Sequence, residues 1–321
     1  MADNSIYHSI FGFDWMPEQA SSWAPKVDFI NNFITDVSVF CTIAITVAML
    51  YFAIRYRRRG PNDYTPNITH NATLETVWTV IPTVICIFVF YYGFAVYHQM
   101  RNPPANPLEI QVSGYQWAWE MTYPNGKKSV NELVVPINKP VRLITKSRDV
   151  NHSFFIPAMR VKEDVIGNTY HYLWFEPTKL GDFHIFCAEY CGTAHSGMIG
   201  NLKVVSQAEY DDYISDRKSA DAPQLPPEEI GKLAYAKVGC NACHSIDGSK
   251  IVGPSFKGLW GREEEFEDGS KLIADENYIR ESILHPSAKI VKGYPAVMQP
   301  MLSEKDEEKI AGIIAFIKTL K

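Results

Sequence analysis

Two apolar runs constrain this chain before any motif is weighed. Val37 to Ile54 is almost wholly apolar, and Val77 to Tyr97 is a second such run. Each is about long enough to cross a hydrocarbon core roughly 30 Å thick as a helix. Lipid offers backbone groups no partner, so a run of this kind spans as a helix that satisfies them internally. Arg55-Tyr56-Arg57-Arg58-Arg59 lies between the runs. A dense basic loop stays on the cytoplasmic side, which puts both termini, and everything after the second run, outside. Trp78, Tyr91, Tyr92 and Tyr97 near the ends of that run suit an interfacial aromatic belt. Pro82 inside it predicts a kink. The residues ahead of the first run are polar and carry Trp, without the basic start of a cleavable signal peptide.

The full length of 321 residues leaves room for two modest domains beyond such a hairpin. A net charge of −5 is mild for this length and argues against nucleic-acid binding or a polybasic membrane-surface role. After Pro107, the segments 108–113, 132–135, 141–145, 170–175, 183–187 and 201–205 are short and β-rich, with Pro and Gly between them. That is the texture of a small β-sandwich. Ser215 to Pro227 is polar and rich in Pro, Ala and Asp, and reads as a linker. Beyond it, Pro227–Lys237 reads as a helix. Ser303 reads as an N-cap ahead of Ile310, Ile313, Ile314 and Ile317 at helical spacing. Glu263 to Asp268 reads as a solvated acidic loop. The expected organisation is an arm over 1–31, a transmembrane hairpin over 32–100, a β domain over 101–214, a linker over 215–227 and a helical domain over 228–321.

The chemistry sits in the cysteines. Cys187-Ala-Glu189-Tyr-Cys191-Gly-Thr-Ala-His195-Ser-Gly-Met198 packs two thiols, an imidazole and a thioether into one loop. Soft sulfur donors with imidazole suit copper, and two thiolates one short turn apart can bridge two ions. His152, after a strand-like run, can supply the second imidazole. A Cys-x-x-x-Cys pair outside the cytoplasm is by default a disulfide, but the surrounding donors argue against that. Zinc has no use for Met198. A second motif, Cys240-Asn-Ala-Cys243-His244, is the c-type haem attachment sequence: two thiols for the haem vinyls and an imidazole for one axial position. Cys41 and Cys86 fall in the apolar runs and read as small hydrophobes.

The stretch from Asp149 to Met198 resembles the binuclear copper (CuA) domain of subunit II of haem-copper cytochrome c oxidases, matching Cys-x-Glu-x-Cys-x-x-x-His-x-x-Met at every position. The resemblance implies a cupredoxin-like fold in which Cys187 and Cys191 bridge the coppers, His152 and His195 are terminal ligands and Met198 is a weak one. It further implies that Glu189 ligates through its carbonyl, with its carboxylate facing a magnesium site shared with the partner subunit. Ile166-Gly167 stands where many members have Pro-Gly, which touches a turn and no ligand. Leu74-Glu75-Thr-Val-Trp78-Thr-Val-Ile-Pro82 resembles the same family's second helix, which implies that Glu75 lies at the mouth of a proton-uptake path. Gly114-Tyr-Gln-Trp117-Ala-Trp119 resembles the string that takes electrons from cytochrome c, with Trp117 in the exposed receiving place and Trp119 in the core. Lys292-Gly-Tyr294-Pro-Ala-Val-Met298 resembles the segment of class I cytochromes c that carries the sixth iron ligand, implying Met298. Gln299 interrupts the usual Met-Pro, which leaves Met301 and then His285 as lesser candidates. Gly253-Pro254 resembles the loop that supports the proximal His.

Of nine His residues only His98 lies near a membrane run, so an oxygen-reducing centre must belong to a partner. The resulting expectation is a multidomain membrane protein: a two-helix hairpin, an all-β cupredoxin-like CuA domain and an all-α class I cytochrome c domain. It is read as subunit II of a caa-type oxidase in a bacterial inner membrane, its redox domains on the periplasmic side. Electrons would come from cytochrome c or a quinol-oxidising complex, and the partners would be subunits I and III. A free-standing membrane-tethered shuttle is the alternative. A copper chaperone would place its His downstream, and a quinol-oxidase subunit would lack the metal ligands.

Overall fold

The computed structural model describes residues 16–61, 67–215 and 225–321. The first 15 residues of the expected arm and most of the expected linker lie outside these residues. Two long helices come first, α1 (Ala24–Arg55) and α2 (Ala72–Arg101). Helix α1 begins well ahead of its apolar run, with Pro25 in the first turn, where a missing N–H costs nothing. The apolar run marks only the stretch suited to lipid, and the helix extends beyond it to reach the β domain. Asn71 caps α2 by accepting from the Leu74 N–H, and Glu75 accepts from the Asn71 N–H in return. Pro82 lies inside α2 without ending it. The helices meet near their ends closest to the β domain through Phe29 on Tyr92 and Phe33 on Phe88. Phe40, Ile54, Ile81 and Phe90 stay exposed, as expected of faces meant for lipid or for other helices.

A two-sheet sandwich follows. One sheet has the order β3-β2-β1-β5-β8, built from β1 (Leu108–Tyr115), β2 (Ala118–Thr122), β3 (Lys128–Val130), β5 (Val141–Ser147) and β8 (His171–Phe175). The other has the order β4-β10-β9-β6-β7, built from β4 (Glu132–Pro136), β6 (His152–Ile156), β7 (Val161–Val165), β9 (Gly181–Cys187) and β10 (Ile199–Val205). Strands β2, β3, β6 and β7 are the ones the sequence left unread. Trp119, Met121, Leu133, Phe154, Phe175 and Ile185 are fully buried between the sheets. Helix α3 (Gln207–Ile214), opened by a Ser206/Glu209 capping box, closes the domain.

The segment before α1 laces the hairpin to the sandwich. Ala20 N–H donates to Ala158 O (3.0 Å), Ser22 N–H to Glu176 O (3.1 Å) and Thr178 N–H to Ala20 O (2.8 Å). Arg160, in the left-handed region at φ 55°, turns its guanidinium back onto Asp28 of α1 with contacts of 2.7 and 2.8 Å. On α2, Arg101 pairs with Glu163 at 2.6 Å.

The C-terminal domain holds α4 (Pro227–Lys237), α5 (Glu276–Leu284) and α6 (Glu307–Thr319). Helices α4 and α6 cross at Gly231 and Gly312. A Cβ on Gly231 would stand 1.9 Å from the Gly312 carbonyl oxygen, so only glycine lets the backbones approach this closely. Ile310, Ile313, Ile314 and Ile317 are buried on α6 as their spacing requires. The acidic string is not a plain loop. It forms a hairpin of β11 (Glu263–Glu265) with β12 (Lys271–Ile273). Its charges are answered locally, Glu263 by Lys271, Glu264 by Arg262 and Glu265 by Lys292.

Candidate metal and haem centres

The copper-type donors converge because of strand order. Cys187 ends β9, Met198 immediately precedes β10, and β9 and β10 are antiparallel neighbours, so the ligand loop is a hairpin connection. On the other side of β9 lies β6, which opens on His152 and sets Phe154 opposite Cys187. The two sulfurs are 3.7 Å apart, against about 2.05 Å for a disulfide, and both thiols are free. Cys187 Sγ lies 3.9 Å from His152 Nδ1 and 3.2 Å from the Glu189 carbonyl oxygen. Cys191 Sγ lies 3.4 Å from His195 Nδ1 and 3.8 Å from Met198 Sδ. Two thiols, two imidazoles, a thioether and a carbonyl thus face one small volume, a donor set that fits soft, sulfur-loving copper. The Cys191 thiol, hydrogen-bonded to Cys187, pushes Cys187 down to about 3 against the effect of burial, and the His152 ring adds to this. The same contact drives Cys191 up, so one sulfur of the pair ionises readily and the second only when a cation is supplied. The Glu189 carboxylate is on the exposed side of the loop.

Three residues that the sequence reading passed over hold this set in place. Asp149 Oδ1 is 2.8 Å from His152 Nε2, leaving Nδ1 to face Cys187, the outer-shell arrangement that orients metal-binding imidazoles. Its other oxygen accepts from the Gln116 N–H at 2.7 Å. Gln116 Nε2 in turn donates to the Cys191 carbonyl at 2.7 Å. Gly192 sits at φ 119°, and a Cβ there would stand 2.8 Å from Gln116 Nε2. Asp149 lies three residues before His152 and Gln116 lies inside the aromatic string, so both are near the site in sequence, but neither position states which atom meets which.

The second centre is a cavity lined by Cys240, Cys243, His244, Met298 and Met301, with a smaller one beside it. His244 Nδ1–H donates to the Pro254 carbonyl at 2.7 Å, and the ring stacks on Phe256. This leaves Nε2 free, and burial pushes the imidazole down, keeping it neutral and able to ligate. An apolar slot with two free thiols and an oriented neutral imidazole fits a c-type haem. His285 is exposed at the end of α5 and lines neither cavity.

Trp117 is not at the surface. Expected as an exposed receiver, it is 6% exposed and belongs to the sandwich core. It lines the larger cavity, and its Nε1–H donates to the Cys191 carbonyl at 3.2 Å. Trp119 is fully buried, edge-on to His152 and Phe154. The domain contact is extended by Lys237 with Glu132 at 2.9 Å and by Ala242, Cys243 and Val297 packed on the sandwich core. Glu75 stands apart at the far end of α2, 3.0 Å from the His70 ring.

Comparison with known proteins matches residues 9–96 to the cytochrome c oxidase subunit II transmembrane domain and 127–205 to its periplasmic domain. Cytochrome c oxidase subunit 2 of a Synechocystis species is 32% identical over 67% of this chain and 78% of its own length. The chain belongs to the cytochrome c oxidase subunit II family. Residues 228–321 match cytochrome c. Cytochrome c oxidase subunit 2 of Alkalihalophilus pseudofirmus is 28% identical over 92% of this chain and 89% of its own. The solved periplasmic domain of subunit II of the Bradyrhizobium japonicum oxidase is 35% identical, covering 36% of this chain and 96% of that one, with a TM-score of 0.35. The protein is therefore a membrane-bound subunit of an oxidoreductase, of a family built for copper, fused to a domain built for haem, and it works with other oxidase subunits.

Proposed function

We propose that this subunit is where electrons enter a caa-type oxidase, taking them from cytochrome c or a quinol-oxidising complex and passing them to haem in subunit I. There O2 is reduced to water with proton translocation. When bound, a haem c and a binuclear copper unit each accept and release one electron. Cys240, Cys243, His244 and Met298 would hold the haem. Cys187, Cys191, His152, His195, Met198 and the Glu189 carbonyl would hold the copper. The Glu189 carboxylate would face a magnesium site shared with subunit I, and Glu75 would open a proton path on the inner side. Subunit III and lipid complete the surroundings of the helices, and the redox domains stand on the periplasmic side of a bacterial inner membrane.

The observation that carries this reading is Trp117, which touches the haem-type cavity and the carbonyl of a copper-type ligand at once. A buried indole in that position borders both candidate centres. In the assembled oxidase, Trp117→Phe should slow transfer from the haem domain to the copper domain in stopped-flow reduction while both absorption signatures persist. An unchanged rate would remove the relay. A free-standing shuttle is separated by isolation in mild detergent: co-purification of a multi-helix haem-copper subunit supports the oxidase, and a chain that purifies alone supports the shuttle.

A further inference from the structure

Two methionines three residues apart line the haem-type cavity, and the structure treats them differently. His244 and Met298 each line both neighbouring cavities, whereas Met301 lines only the larger one. Met301 is instead engaged from outside its own domain. The hydroxyl of Tyr115, at the end of β1 in the copper domain, donates to Met301 Sδ at 3.2 Å. Tyr115 is 5% exposed, and Arg148 lies over its ring at 5.0 Å.

We propose that Tyr115 is a positioning residue: by binding the Met301 sulfur it holds that thioether on the copper domain and leaves the axial position to Met298. This rests on the reading of the cavity as a haem site. A thioether has few ways to be held, being a weak acceptor on a flexible, unbranched stem. Either methionine of so short a segment can therefore swing toward an iron unless something fixes one of them. Burial pushes the Tyr115 hydroxyl up to about 12, so it keeps its proton and donates throughout the neutral range. Because the donor comes from the other domain, correct docking and correct axial ligation are established together. A haem domain that drifts from the sandwich would lose both.

The test uses the full chain in its oxidase, with covalent haem first verified in the wild type. Axial ligation is read from the far-red thioether-to-iron absorption band and the shifted methyl resonance of the bound methionine. Met301→Leu should keep the band and one resonance, and Met298→Leu should lose the native resonance. Tyr115→Phe should show a second methyl resonance, its population raised by a factor on the order of ten, the worth of one hydrogen bond. Tyr115→Phe combined with Met301→Leu should return to one. A single native resonance in Tyr115→Phe, or a native resonance that survives Met298→Leu and vanishes in Met301→Leu, would overturn the role of Tyr115 alone. A wild type without covalent haem would overturn the haem reading as well.

Discussion

Asp28→Ala should loosen the copper domain from its membrane hairpin more than any change on the exposed surface. Arg160 is buried, with its side chain 3% exposed, and Asp28 takes two of its donors; the rest go to the Pro17, Glu18 and Pro157 carbonyls. Gln19 also donates to Asp28 at 2.8 Å. Removing the carboxylate strands a guanidinium that cannot lose its proton. Breaking a buried pair in this way costs about 3–5 kcal/mol. For a unit the size of the sandwich with its helices, that corresponds to a fall in melting temperature of about 6–20 °C. The loss is followed as thermal bleaching of the near-infrared copper absorption in the detergent-solubilised oxidase. Replacing both partners, Asp28→Ala with Arg160→Met, should recover much of it, because no charge is then left unpaired. An unshifted melt for Asp28→Ala, or a double variant no better than the single, would refute the clasp.

Other outcomes follow from the same geometry. Cys187→Ser or Cys191→Ser should abolish the near-infrared mixed-valence band, since sharing one electron over two metals needs both bridging sulfurs; retention of the band would contradict the site. Asp149→Ala frees the His152 ring and should lower copper affinity about 10–100-fold, read by competition with a copper chelator; Asp149→Asn should restore part of it. Gly312→Val drives a side chain into α4, where even a Cβ would stand 2.8 Å from Gly231 N. It should prevent the haem domain from folding, seen as loss of covalent haem with the copper band retained.

The sequence by itself determined the parts. Membrane helices announce themselves by length and hydropathy, because lipid leaves the backbone no alternative. The copper and haem motifs announce themselves because their donors lie within one loop each, where spacing alone nearly fixes geometry. Even the approach of His152 to the cysteine loop was legible, since the donor set called for a second imidazole there. What the tertiary structure decided is everything that depends on surfaces meeting. Trp117 reads as an exposed residue from its own string, yet it is buried and borders a cavity that residues of the C-terminal domain also line. Tyr115 reaches Met301, and Arg160 reaches Asp28, across separations of chain that no periodicity spans. Strands β2 and β6 hid for a related reason: one lies in an aromatic string that reads as a motif, the other begins on a metal-type ligand. Local pattern records what a segment offers, and only packing settles which partner accepts it.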